Sequence, residues 1–129
     1  MRNLLSKSDE NYESFHILKD AGKLSSCIHC AYYSAFQLSL YSLVEKYGYH
    51  IDFLIRNQSN SHTIIKKNMR DRIKQSNKDD AVKYNREMEK LKKERVKADY
   101  SYGFHGLREI GKIEASLNSV RGLIKNKYI

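Results

Sequence analysis

Apolar side chains recur at helical spacing along nearly the whole chain, and no proline interrupts the pattern. Residues three and four apart lie on one face of an α-helix, so this spacing predicts amphipathic helices. Proline breaks helix interiors and glycine weakens them, and the 129 residues contain no proline and six glycines. The sequence therefore predicts an all-α single domain over 1–129, folded as an antiparallel four- to five-helix bundle.

Caps and breaks predict where these helices begin and end. The first helix is expected to begin at Ser8, acting as its N-cap, and to close at Gly22. A longer helix over 24–47 is apolar on two sides, which predicts a central position with one face available to another helix or a second subunit. A loop is expected next, and then three further helices, over 61–74, 80–100 and 107–125.

Composition bears on location and on metal binding. No apolar run approaches the roughly 18 residues of a membrane-spanning helix, and the N-terminus lacks a signal-peptide core. A cytoplasmic protein without membrane contact is therefore expected, with Cys27 and Cys30 reduced. A zinc site needs a second pair of ligands at suitable spacing, so we interpret both thiols as small packed hydrophobes. Neither a metal nor a cofactor is expected.

One arginine interrupts the apolar stripe of the fourth predicted helix. The stripe has the spacing of one helix face and consists of Ala81, Tyr84, Met88, Leu91, Arg95, Ala98 and Tyr102. An inward guanidinium needs an anion or a polar partner, because burying an unpaired charge is costly. Asp99, four residues further on, is within reach. Two interpretations stay open: a phosphate-binding or catalytic site, or an arginine with a buried stem and a solvated head.

Positive charge is concentrated in the middle of the chain. The net charge is +9, and between positions 61 and 97 thirteen Lys or Arg stand against six Asp or Glu. This excess favours a nucleic-acid partner, because cations that neutralise phosphates release counterions, although a merely solvated helix face is the alternative. The residues predicted to contact nucleic acid are Lys66, Lys67, Arg70, Lys92, Lys93 and Lys97.

Two segments resemble a known protein family. The segment Ala31-Tyr-Tyr-Ser-Ala-Phe-Gln-Leu-Ser-Leu40 resembles the Ala-Tyr-Tyr-x-x-Phe signature of HEPN domains. The segment Arg95-Val-Lys-Ala-Asp-Tyr100 resembles the Arg-x-x-Ala-Asp-Tyr end of the fourth helix in a large HEPN subgroup. The order and spacing of these segments, together with the closing helix, extend the resemblance over most of the chain.

The resemblance implies a homodimeric helical bundle that acts on RNA in a toxin–antitoxin or phage-defence system. Many HEPN proteins are metal-independent endoribonucleases, whose motif of an Arg followed a few residues later by a His is brought together from two copies. In such a site the Arg holds the scissile phosphate. The His moves a proton between the ribose 2′-hydroxyl and the leaving oxygen.

This chain departs from the family motif at the histidine. Tyr100 stands five residues after Arg95, and a phenol with a pKa of about 10 moves protons poorly at neutral pH. The nearest histidine downstream is His105, beside two glycines that favour a turn. In one toxin branch a partner nucleotidyltransferase of the MNT type modifies a tyrosine at the position of Tyr102. The candidate catalytic residues are thus Arg95, Asp99, Tyr100, Tyr102 and His105.

Three hypotheses follow for the function of the chain. The first is a homodimeric RNA-cleaving toxin or defence effector in which Arg95 contacts phosphate. The second is a non-cleaving binding or regulatory subunit that pairs with a nucleotidyltransferase or a larger defence complex. The third is a structural helical dimer in which Arg95 and Asp99 form an ion pair that fixes the packing register.

Overall fold

A computed structural model describes residues 2–56, 60–100 and 106–129, and these residues form six helices without any strand. Their bounds are α1 (Arg2–Asp20), α2 (Leu24–Glu45), α3 (Ile51–Ile55), α4 (Ser61–Ser76), α5 (Lys78–Tyr100) and α6 (Leu107–Lys127). The predicted all-α helical bundle is therefore confirmed, but the predicted number of four to five helices is wrong: burial of Leu54 orders the short helix α3 where a loop was expected. Over the same ranges, no helix combines the length and the apolar character needed to cross a membrane.

The central helix is α2, which packs against α1, α4, α5 and α6. Both of its predicted apolar faces are buried within the chain: Tyr32, Leu40 and Leu43 are inaccessible, and Phe36 is partly covered. Cys27 is fully buried and Cys30 partly buried, both as free thiols, and burial raises the pKa of Cys27 to about 11. The two cysteines thus pack as small hydrophobes.

The turn between α1 and α2 forms at the predicted glycine. Gly22 has φ +77°, a left-handed conformation that side chains with a β-carbon rarely adopt. The Lys23 N–H donates to the Leu18 carbonyl at 2.8 Å, and the Gly22 N–H donates to the Lys19 carbonyl at 3.1 Å. This pair of bonds is the Schellman closure of a helix, and it returns the chain along α1.

The predicted N-cap at Ser8 is wrong, because α1 begins six residues earlier. Ser8 lies inside the helix and is fully buried against α2, where its hydroxyl donates to the Ser34 carbonyl at 2.6 Å. Leu4, in the added first turn, is buried as well. Packing of this turn on the bundle therefore extends the helix beyond the point where local capping chemistry would start it.

A buried polar network around Arg121 joins α1, α2 and α6. Nη1 of Arg121 donates to the hydroxyls of Ser8 and Ser34, both at 2.7 Å, and Nη2 donates to Asp9 Oδ1 at 2.7 Å. The guanidinium carbon also lies 4.5 Å from the Tyr12 ring centroid. Only 8% of the Arg121 side chain is exposed, so this cation contacts polar groups of two other helices inside the bundle.

Tyr84 ties α5 to the centre of α2. Its fully buried hydroxyl donates to Ser39 Oγ at 2.8 Å, and Ser39 in turn donates to the Ala35 carbonyl. We expect Tyr84→Phe to lower the free energy of unfolding by about 1 kcal/mol, the usual net value of one buried hydrogen bond. Urea denaturation followed by circular dichroism measures this, with Tyr100→Phe at an exposed position as control. Equal unfolding midpoints for the two variants would contradict it.

Candidate functional site

Arg95 lies one turn before the end of α5 and packs its side chain against α2. The guanidinium carbon is 4.9 Å from the Tyr32 ring centroid and 5.9 Å from the Tyr33 ring centroid. The side chain is 21% exposed, so it is largely inside the bundle, as its place on the apolar stripe predicted. Contact between the cation and two ring faces offsets part of the cost of burial.

The charge of Arg95 is weakly compensated by its surroundings. In the described part of the chain, its nearest carboxylate oxygen is Asp99 Oδ2, 3.9 Å from Nη1, which is long for an ion pair. Arg95 Nε is buried and has no hydrogen-bond partner among the residues that the structure describes. A guanidinium that is incompletely neutralised and belongs to a partly exposed side chain is suited to bind the oxygens of a phosphate.

Asp99 contacts a histidine as well as Arg95. Its Oδ1 pairs with Nε2 of His29, which comes from α2, while Oδ2 is on the side of Arg95. A carboxylate bonded to one ring nitrogen orients an imidazole. The His29 side chain is 41% exposed, so its ring is accessible from solvent.

A second histidine, His62, comes from the first turn of α4. Its Nδ1 is hydrogen-bonded to the Tyr32 hydroxyl at 2.6 Å, and its ring stacks on Phe36 with centroids 4.3 Å apart. Burial lowers the pKa of His62, and the positive charges of Arg95 and Lys92 lower it further. The neutral imidazole, which accepts a proton, is therefore favoured near neutral pH.

Tyr32 lies between Arg95 and His62 and contacts both side chains. Burial raises the pKa of Tyr32 to about 12, so its phenol stays protonated and holds the His62 ring by a neutral hydrogen bond. The segment around Tyr32 and the segment around Arg95, which carry the family resemblance, meet here although some sixty positions separate them. We call Arg95, Asp99, His29, His62 and Tyr32 the arginine–histidine site.

The structure places the candidate catalytic residues in different surroundings. Arg95 and Asp99 come together as their spacing predicted. Tyr100 is the last residue of α5 and is 80% exposed. Tyr102 and His105 lie outside the described residues.

Sequence reasoning missed both histidines of the site. His29 had a usable signal, because it precedes Tyr32, Tyr33 and Phe36 at helical spacing and therefore shares their face of α2. No comparable local signal existed for His62, whose position depends on how α4 packs against α2.

The six lysines and arginines predicted to contact nucleic acid separate into two groups. Lys66 and Arg70 lie one turn apart on α4, and burial together with the charges of Lys92 and Arg70 lowers the pKa of Lys66. Lys67, Lys93 and Lys97 are exposed. Of these, Lys93 lines a pocket of about 620 Å³ between α5 and α6, which shares no residue with the arginine–histidine site.

In the parts of the chain described by the structure, no three His, Cys, Asp or Glu side chains lie close enough to hold a metal ion. Comparison of the chain with known protein families, with curated proteins and with solved structures finds no match.

Proposed function

We propose that this chain is a HEPN-like, metal-independent endoribonuclease of a toxin–antitoxin or phage-defence system. One observation carries the proposal: the incompletely neutralised guanidinium of Arg95 lies in one site with two histidines, one of them with a lowered pKa. Cleavage of RNA by its own 2′-hydroxyl needs anion binding, a proton acceptor and a proton donor. Arg95, His62 and His29 match these three needs.

The proposed reaction uses no group beyond these side chains and the substrate. When Nδ1–H of His62 donates to the Tyr32 hydroxyl, Nε2 carries a lone pair and takes the proton of the ribose 2′-hydroxyl. The 2′-oxygen attacks the adjacent phosphorus, and the bond from phosphorus to the 5′-oxygen breaks. That oxygen takes a proton from the His29 ring, giving a 2′,3′-cyclic phosphate and a 5′-hydroxyl. Arg95 binds the non-bridging oxygens and stabilises their charge.

A homodimer belongs to the same proposal, because family sites of this kind are composed from two copies. Val96 and Tyr100 support it, since both are exposed and lie four residues apart on α5, beside Arg95. Exposed apolar and aromatic side chains of this kind are typical of interfaces. A second copy covering them would bring two Arg95 side chains near each other.

A cleavage assay in the presence of a chelator tests the proposal. We expect the wild type to cleave RNA to 2′,3′-cyclic phosphate ends and to leave DNA of the same sequence intact, because DNA lacks the 2′-hydroxyl. Arg95→Lys should reduce the rate about tenfold or more, since lysine keeps the charge but loses the planar fork and the ring contacts. Light scattering on the same sample reports the dimer. A folded, dimeric wild type that cleaves none of a varied set of RNAs would contradict the proposal.

A second candidate function is a HEPN-like subunit that binds RNA without cutting it and pairs with a nucleotidyltransferase or a larger defence complex. Tyr100 favours it, because this tyrosine stands where the family motif has its histidine. In that case Arg95→Lys weakens RNA binding while neither protein yields cleavage products. The assay above therefore separates the two candidates.

A further inference from the structure

A line of basic side chains continues away from the arginine–histidine site along α4. Four residues recur at intervals of four and so form one ridge that is inclined to the axis of this helix: His62, Lys66, Arg70 and Lys74. Twelve residues of α-helix cover about 18 Å along the axis. The line is therefore much longer than a single phosphate group.

The neighbouring helix α5 adds cations along the same line. Lys92 lies three residues after Glu89, the ion-pair partner of Lys66, and its positive charge lowers the pKa of both Lys66 and His62. At the other end, Arg86 and Lys78 of α5 line a pocket of about 580 Å³ together with Arg70 and Lys74 of α4. Basic side chains of both α4 and α5 therefore lie along the line from one end to the other.

The carboxylates near this line neutralise part of its charge. Glu89 pairs with Lys66, Asp71 pairs with Arg70 at 3.3 Å, and Glu87 pairs with Arg86 at 3.2 Å. Lys74 and Lys78 are exposed and form no ion pair with any residue in the described ranges. Lys74 and Lys78 line the same pocket, so their charges repel each other. A row of bound anionic groups along the line would relieve that repulsion.

We propose that this line of cations is the path of a single-stranded RNA backbone. The RNA enters the arginine–histidine site at one end and lies against Lys74 and Lys78 at the other. Cations that contact phosphates position a strand without reading its sequence, so the path accepts RNA of any sequence. The partly exposed rings of Tyr33 and Phe36 at the site end offer a stacking surface for an unpaired base. This inference rests on the proposed function, which supplies the reacting end of the path.

Binding of uncleavable 2′-O-methyl RNA, followed by fluorescence anisotropy over a range of salt concentrations, tests the path. The test variant is Lys74→Gln with Lys78→Gln, and the control is Lys7→Gln with Lys112→Gln, which removes equal charge from exposed positions on α1 and α6. For an oligonucleotide that spans the path, losing two phosphate contacts should reduce the slope of log K against log salt by about 1.4. The control should keep the wild-type slope. A shorter oligonucleotide that fills only the site end should bind all three proteins alike.

The possible outcomes separate this inference from the proposed function. A reduced slope in the test variant alone supports the path, even if the wild type never cleaves RNA. Equal reductions in test and control variants overturn the path, because binding then follows net charge rather than position. Cleavage that depends on Arg95, with wild-type slopes in both double variants, also overturns the path and leaves the proposed function intact. Absence of binding by the wild type overturns the path as well.

Discussion

Arg121→Ala should lower the free energy of unfolding by about 3 kcal/mol or more, because it removes several hydrogen bonds from a charged donor and leaves the buried hydroxyls of Ser8 and Ser34 without that donor. The substitution removes four hydrogen bonds that connect Arg121 with Ser8, Ser34 and Asp9. It also removes a buried stem and the contact with the Tyr12 ring. Because a domain of this size is stable by only about 5–15 kcal/mol, the loss is a large part of the total.

Urea denaturation followed by circular dichroism measures this effect. Arg108→Ala, at an exposed position on the same helix, removes the same side chain and should change the free energy of unfolding by no more than about 0.5 kcal/mol. The free energy of unfolding of Arg121→Lys should lie between the values for Arg121→Ala and Arg108→Ala, because lysine keeps the charge but cannot reach the acceptors of three residues on two helices. If Arg121→Ala and Arg108→Ala unfold at the same urea concentration, the network is not a source of stability.

His62→Gln should reduce the rate of RNA cleavage by about 10²–10⁴-fold, the typical contribution of a general base. Glutamine is similar in size and polarity to histidine but does not accept a proton near neutral pH. His50→Gln is the matched control, because His50 is exposed and belongs to neither the site nor the proposed path. A His62→Gln variant that cleaves RNA at the wild-type rate would remove His62 from the mechanism.

The pH dependence of the cleavage rate is a second test of His62 as the base. A base works in its neutral form, so on the acid side of the profile the rate should fall as the pH drops through the pKa of His62. Burial, Arg95 and Lys92 lower that pKa, which places the acid limb of the profile below the ordinary histidine value of 6.5. His62→Gln should abolish this limb along with most of the activity.

Titration of the His62 ring by NMR reports the same environment without any cleavage. In Arg95→Met one neighbouring positive charge is gone, so the pKa of His62 should rise relative to the wild type. In Arg95→Lys the charge is kept and the rise should be smaller. An unchanged pKa in Arg95→Met would show that the two side chains are not electrostatic neighbours in solution.

Local patterns predicted the helices well, since spacing and breaks act over a few residues. Gly22 ends α1 where its conformational freedom indicated, and Arg95 and Asp99 meet because four residues separate them on a helix. The same reasoning failed at Ser8, where hydrogen bonds to another helix replaced the expected cap. It also assigned a loop where α3 forms, because burial of Leu54 orders a short helix there.

The sequence by itself determined the all-α class, the central position of α2 and the inward arginine, since each follows from periodicity along one helix. Only the tertiary structure decided that His62 lies beside Tyr32, within the electrostatic influence of Arg95, and that basic side chains of α4 and α5 form one line. These groups belong to different helices, and their distances depend on how side chains from α2, α4 and α5 fit together. Helical spacing relates residues on one helix but carries no information on which face of another helix they meet.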